Sequence, residues 1–585
     1  MRPVQHGLEL AGSPARETGR RAVGRWLRTG MAALLVLLAL TAPNRLREIG
    51  PAAFVRLPLE ALVYLAVILA LPPRFGRVRA FLALAAGFIL GLTAILKVLD
   101  MGFLEALDRP FDAVIDWRYA GSLVALVRDS FGNGLGTALL GVAALVAVAL
   151  LVLLPLSVLR VTRVAARHRR PASQAVAALA SIWLVLAVLD VRGSAGVVAS
   201  RDTAGYVYGQ VSRIPSELRD QREFAQAAEE DPLRGVPAQD LLTGLRGKDV
   251  LFVFVESFGR VAVEGSSFSA GVNAVLASGT KQLSEAGFAS RSAFLTSPTF
   301  GALSWLAHAT LQSGLWVDSQ QRYDALVASS RLTLSRVFGQ AGWRTVGDVP
   351  ANTRDWPEGV FYDYDHVYDS RNVGYEGPRF GYPTMPDQYT LDAFHRLELA
   401  QEQRRPVMAE IDLISSHAPW SRTPRMIDQS AVGDGSVYDD MPEQLPSETD
   451  IWPSPRRVQA AYGTSIEYSL NALVTFVTTY GDEDTVVVLL GDHQPATIVS
   501  GDDAGHDVPI AIVSSDPAVF DPISGWAWHK GLRPDPDAPV WRMDSFRDRF
   551  LAAYGSNGQT GPQPDERALN PRSPPHVPRG GGCNA

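Results

Sequence analysis

The chain has 585 residues, more than one compact domain usually needs. Hydrophobic residues make up 47% and charged residues 20%. That is too apolar for a disordered chain and too charged for one lying wholly in a bilayer, so membrane segments joined to a globular domain fit best. The net charge of -7 excludes the basic signature of a nucleic-acid binder. The one cysteine, Cys583, excludes a disulfide framework and a multi-cysteine metal site.

Apolar residues concentrate before residue 192, and five stretches read as spans: 31–42, 57–71, 80–96, 135–159 and 175–191. A spanning helix needs about 20 mostly apolar residues. The fourth has that length, the third and fifth come close, Glu60 interrupts the second, and the first is short. Arginine sets the orientation. Residues 1–28 carry Arg2, Arg16, Arg20, Arg21, Arg25 and Arg28; the second-to-third loop carries Arg74, Arg77 and Arg79; the fourth-to-fifth loop carries Arg160, Arg163, Arg167, Arg169 and Arg170. Positive residues stay inside, so these segments are cytoplasmic and everything after residue 192 lies outside. Glu60 and Lys97 are placed near span ends, with their charges reaching the interface, and no site is assigned to them. The chain thus divides into a cytoplasmic N-terminus (1–28), a five-helix membrane domain (29–191), a juxtamembrane connector (192–246), an extracytoplasmic domain (247–556) and a disordered Pro/Gly-rich tail (557–585).

After Gly247 the pattern changes. Apolar runs at 250–255, 343–346, 407–414, 485–490 and 508–513 alternate with helical stretches such as 304–313, 390–402 and 457–480. Runs of this kind suit strands buried on both faces. Their alternation with helices predicts an α/β domain with a mostly parallel sheet covered by helices.

Ligands of such sheets bind beyond the carboxyl ends of the strands. There the runs end in Glu256-Ser257, Gly347-Asp348, Ser415-Ser416-His417 and Gly491-Asp492-His493. A lone acidic residue after a strand is most often a turn or cap residue. Glu256 together with an Asp-His pair can instead complete an oxygen and nitrogen site for a divalent ion. A nucleophile would stand beside it. The stretch from Leu295 to His308 leads from a loop into a helix and offers Thr299 and Ser304. A hydroxyl at a helix start meets free N–H groups and the positive end of the dipole. Without the metal-ligand types, either residue would read only as an N-cap.

In this order, Glu256-Ser257, Ser304 at a helix start, Ser415-Ser416-His417 and Gly491-Asp492-His493 resemble the sulfatase-like branch of the alkaline phosphatase superfamily. With the membrane segments the chain resembles lipoteichoic acid synthases and phosphoethanolamine transferases, over about residues 30–550. The resemblance implies a covalent mechanism, in which a Ser or Thr takes a phospho-headgroup from a phospholipid and diacylglycerol leaves. It implies one divalent ion, manganese, zinc or magnesium, held by Glu256, Ser304, Asp492 and His493. It places His417 at the substrate and, by a looser match, Trp356 and Arg354 at the phosphate. Gly314, ten residues on, is where the family closes the nucleophile's helix, which favours Ser304 over Thr299. Ser304 is followed by neither the proline nor the arginine of formylglycine sulfatases, which disfavours sulfate ester hydrolysis. The lack of cysteines tilts the comparison towards lipoteichoic acid synthases.

The expected function is a membrane-bound phosphotransferase in the cell membrane, with a phospholipid donor, phosphoglycerol or phosphoethanolamine as the moved group, and an envelope polymer or glycolipid acceptor. A metal-dependent hydrolase of the same superfamily is the alternative. A membrane sensor or transporter ranks last, because its spans should carry several polar or broken positions.

Overall fold

The structure is a computed structural model that describes residues 14–556, apart from 114, 194–195, 402 and 502. The expected disordered tail and Cys583 lie outside the described residues. The chain divides into two compact units, one up to Arg222 and one from Glu223.

The first unit is helical: α1 (Pro14–Thr41), α2 (Leu59–Ala70), α3 (Gly76–Leu107), α4 (Ala120–Arg167), α5 (Arg169–Val188) and the start of α6 (Asp202–Glu229). Among the described residues, four segments are long and apolar enough to cross a membrane: Val23–Thr41, Pro73–Leu107, Gly134–Arg167 and Arg169–Val188. The chain is a membrane protein, and outward-facing apolar residues such as Phe81, Leu145 and Val188 suit contact with lipid. Helix α3 meets α4 through Gly87 and Gly91, four positions apart. A Cβ on Gly87 would lie 2.4 Å from Pro155 Cα, so the two backbones touch where only glycine fits.

The second expected span needs correction. Helix α2 has 12 residues, about 18 Å of rise, against a hydrocarbon core of about 30 Å. Pro58 and Pro72-Pro73 bracket it and cut the apolar run short. Its direction still alternates with its neighbours. Glu60 Oε1, at its start, accepts from Ala204 N at 2.8 Å; Leu69 O, at its end, accepts from Arg169 at 2.5 Å. Arg79 donates to Leu71 O, and Arg160 donates to Thr29 Oγ1 and Arg25 O. These bonds gather the arginine-bearing helix ends at one end of the unit. Ala42, Glu60, Lys97 and Thr203 gather at the other. Lys97 also departs from expectation: it is 4% exposed and does not reach the surface.

The second unit is a mixed sheet between two helical layers. Its strands are β1 (Asp249–Val255), β2 (Ala289–Thr296), β3 (Arg344–Asp348), β4 (His366–Tyr368), β5 (Val407–Leu413), β6 (Thr485–Gly491), β7 (Asp507–Ser514), β8 (His529–Lys530) and β9 (Val540–Arg542). They lie in the order β8-β2-β7-β6-β1-β5-β3-β4, with β9 paired to β2. Pairs from β6 through β1, β5 and β3 to β4 are parallel, while β7 is antiparallel to β6 and β2. Strand β1 is buried at every position, and its residues alternate between two cores. Leu251, Val253 and Val255 pack with α7 (Ser269–Glu285) and α9 (Pro455–Tyr480). Val250, Phe252 and Phe254 pack with α8 (Ser304–Ser313) and α10 (Phe546–Tyr554).

The expected boundary at 247 also moves. Asp231, assigned by sequence to the connector, is buried and pairs with Arg331 and Arg547 at 3.1 Å. Residues from Glu223 onward therefore belong to the second unit.

Candidate functional site

Strands β6, β1 and β5 are neighbours, and their carboxyl ends hold Asp492-His493, Glu256-Ser257 and Ser415-Ser416-His417. Backbone contacts fix these turns. Gly491 approaches Phe258 so closely that an added Cβ would sit 2.0 Å from the Phe258 carbonyl oxygen. Ser416 Oγ donates to Glu256 O at 2.6 Å, and Ser297 Oγ donates to Asp492 O at 2.6 Å. Gly301 N donates to Gln494 O at 2.8 Å, tying the loop before α8 to the Asp492 turn.

Helix α8 starts at Ser304 because Leu303, at φ 71, takes the left-handed conformation just before it. It ends at Gly314, also left-handed, at φ 65. Ser304 Oγ donates to Glu256 Oε2 at 2.9 Å and lies 3.2 Å from His493 Nε2. Thr299 is placed otherwise: its Oγ1 donates to Ala302 O at 2.6 Å and closes the turn that leads into the helix.

Asp492 Oδ1 accepts from the backbone N–H groups of Ser257 and His493, both at 2.7 Å. Its other oxygen, Oδ2, is buried without a hydrogen-bond partner and lies 3.6 Å from His493 Nε2. His493 Nδ1 stands 2.8 Å from Gln494 O, which assigns the proton to Nδ1 and leaves Nε2 as a lone pair. Ligand atoms of Glu256, Asp492 and His493 lie within 4.8 Å of one another. Burial and the Glu256 charge push Asp492 above the usual carboxylate range. Burial would raise Glu256 as well, but His417 and the hydrogen bond from Ser257 hold it below that range. Two buried carboxylates, one of them with an orphaned oxygen, an imidazole lone pair and a hydroxyl fit a divalent cation.

His417 stacks on Tyr382 at 3.7 Å and acts electrostatically on Glu256. Trp356 packs on Tyr362 in the apolar cluster that also includes Leu303 and Trp305. Arg354 is exposed, and no hydrogen bond or ion pair links it to the cluster among the described residues.

The structure adds a polar group that sequence reading missed. His308, one turn after Ser304 on α8, has Nδ1 2.8 Å from Glu410 Oε1 and 3.4 Å from Asp412 Oδ1. Its ring stacks on Phe254 at 3.8 Å. Gln312 and Tyr364 also donate to Glu410. Burial would lower His308, but Asp412 and Glu410 outweigh it and raise the imidazole to about 9. Burial and the Asp412 charge push Asp348, 1% exposed, well above the usual carboxylate range. The available signal was Glu410 and Asp412, spaced i and i+2 on one face of a strand read as apolar.

Residues 248–516 match the family model described as Sulfatase. This segment is a sulfatase-family enzyme domain. Among curated proteins nothing matches. Similar solved structures include the lipoteichoic acid synthase LtaP from Listeria monocytogenes, 14% identical, with a TM-score of 0.34, covering 46% of this chain and 66% of that one. The Streptococcus pyogenes phosphoglycerol transferase GacH, in complex with sn-glycerol-1-phosphate, is 12% identical with a TM-score of 0.34, covering 59% and 81%. The C-terminal periplasmic domain of Escherichia coli EcEptC, in complex with Zn, is 14% identical with a TM-score of 0.31, covering 46% and 73%.

Proposed function

We propose that the protein is a membrane-bound phosphotransferase that moves a phospho-headgroup, phosphoglycerol or phosphoethanolamine, from a phospholipid to an envelope glycan or lipid through a covalent intermediate on Ser304. The observation that carries this reading is the meeting of Ser304 Oγ with Glu256 and His493, beside Asp492, at the start of a helix. The membrane helices supply a reason for a lipid donor. Gathering of the arginine-bearing helix ends supports a cytoplasmic N-terminus and an extracytoplasmic sulfatase-family domain.

In this mechanism Glu256, Asp492, His493 and Ser304 would hold one divalent ion, manganese, zinc or magnesium. When bound, it neutralises phosphate charge and lowers the pKa of the Ser304 hydroxyl. Ser304 Oγ attacks the headgroup phosphorus, and its proton leaves towards Glu256 Oε2, 2.9 Å away. The bond from phosphorus to the diacylglycerol oxygen breaks, and that oxygen takes a proton as diacylglycerol departs. The positive end of the α8 dipole favours the incoming phosphate oxygens. His417 contacts the substrate from the β5 side. An acceptor hydroxyl then attacks the same phosphorus and restores Ser304.

Incubating the purified full chain with headgroup-labelled phospholipids tests the proposal. Diacylglycerol release with label passing to an added glycan or glycolipid is expected. Release of free phospho-headgroup, with no acceptor labelled under any condition, would favour the hydrolase. No diacylglycerol from any phospholipid would overturn both readings.

A further inference from the structure

Ser257 follows Glu256 at the end of β1, and the chemistry proposed for Ser304 leaves it without a part. It is 3% exposed and bonds both carboxylates of the site. Its backbone N–H donates to Asp492 Oδ1 at 2.7 Å, and its hydroxyl donates to Glu256 Oε1 at 2.8 Å. One residue thus holds one oxygen of each carboxylate and leaves the second oxygen of each open to other groups. Glu256 Oε2 accepts from Ser304 Oγ at 2.9 Å, and Asp492 Oδ2 is buried with no hydrogen-bond partner. His493 Nε2 lies 3.5 Å from Glu256 and 3.6 Å from Asp492, so all three side chains converge. Ser257 is itself held. Its carbonyl oxygen accepts from the Tyr462 hydroxyl at 2.8 Å and from Gly259 N at 2.9 Å. Tyr462, on α9, is fully buried against Phe268 and Trp420.

The backbone sharpens the point. A φ of 58 places Ser257 in the left-handed region, where a residue with a Cβ is strained and glycine is not. Glycine would satisfy the turn and would still offer the N–H that Asp492 accepts. What glycine lacks is the hydroxyl, so the bond to Glu256 accounts for a serine in this conformation. Strain of this kind collects where a site holds its groups in one geometry. A hydroxyl with a purely local task bonds its own turn, as Thr299 does with Ala302. Ser257 instead directs both of its donors to the carboxylates that face the candidate ion. A carboxylate free to rotate offers a cation several arrangements, and a bond from behind selects one. Loss of such a bond typically lowers metal affinity by about 10–100-fold.

We infer that Ser257 is a positioning residue of the metal site, whose hydroxyl and amide fix the rotation of Glu256 and Asp492 so that both converge with His493 on one divalent ion. The inference rests on the proposed ion at these residues, and its test is read without turnover. The full chain in detergent, stripped of metal with a chelator, would be titrated with manganese, zinc and magnesium in turn, and its melting followed before metal is added. Ser257→Gly removes the hydroxyl and relieves the backbone; Ser257→Ala removes the same hydroxyl and keeps the strained conformation. Both variants should bind the ion about ten-fold more weakly or worse. Without metal the Gly protein should melt at about the temperature of the natural chain, and the Ala protein lower. Equal affinity loss in two variants of unequal stability ties the loss to the hydroxyl rather than to folding. Ion binding unchanged in Ser257→Gly overturns the inference. So does a loss that follows melting, large in the Ala protein and small in the Gly protein, because that assigns the hydroxyl a structural task. A natural chain that binds none of the three ions overturns both the inference and the proposed ion. Ion binding that depends on Ser257, in a protein that releases no diacylglycerol, keeps the inference and rejects the transferase reading.

Discussion

His308 makes the fold pH-dependent in a direction that can be worked out. Its imidazole has an ordinary value of 6.5 and is raised in the folded protein to about 9, because Asp412 and Glu410 outweigh its burial. A raised folded value means that the protonated form stabilises the fold. That contribution is fully present below about 6.5 and is lost as pH rises through about 9. At about 1.4 kcal/mol per pH unit, the displacement amounts to about 3 kcal/mol. His308→Gln keeps an amide donor near Glu410 but removes the charge. Denaturant unfolding of the full chain in detergent, followed by tryptophan fluorescence, would compare the two proteins from pH 7 to pH 10. The variant should be less stable by about 3 kcal/mol at pH 7, with the gap closing to about 1 kcal/mol or less by pH 10. Titrating groups remote from His308 are common to both proteins and cancel in the difference; Asp412, raised to about 7 and held down in part by the His308 charge, adds a change near pH 7, so the comparison is read above pH 8. A gap that stays constant over that range, or widens with pH, would refute the assignment of His308 as a buried cation.

Asp492→Ala should lose both bound divalent metal, read by elemental analysis, and turnover; unchanged metal content would remove Asp492 from the ligand set. Ser304→Ala should abolish turnover through kcat while Thr299→Ala, which breaks only the bond to Ala302, should be milder. Gly491→Ala should destabilise the fold by about 3 kcal/mol in a melting experiment, because its Cβ would meet the Phe258 carbonyl oxygen at 2.0 Å. Reporter fusions at Arg77 and Arg167 should give cytoplasmic signals and one at Pro232 an outside signal; a cytoplasmic signal at Pro232 contradicts the orientation.

Central strands were legible in the sequence because burial on both faces leaves runs such as Val250–Val255 with no polar residue. Strand β2 was not, because Ser290, Arg291 and Ser292 break its apolar pattern, and β4, β8 and β9 are only two or three residues long. Glu256, Ser304, Asp492 and His493 could be picked out because chemistry-bearing types follow directly on apolar runs or open a helix. The His308–Glu410–Asp412 group was hidden inside segments read only for hydrophobicity. The shortness of α2 was hidden in the same way, although Pro58, Pro72 and Pro73 mark its limits. Two features depend on partners far along the chain and had no local signal. Asp231 joins the second unit through Arg547, 316 positions away, and Lys97 is buried through Ala42 and Thr203.

The central claim is that Ser304 carries the transferred group. Its most direct test is to trap the full-length protein with a phospholipid labelled in the headgroup phosphate, without acceptor, and to map the labelled peptide. The account predicts label on Ser304, none on Ser304→Ala protein, and release of the label when an acceptor is added. Label on Thr299 or on any other residue, with Ser304→Ala labelled as strongly as the natural protein, would contradict it.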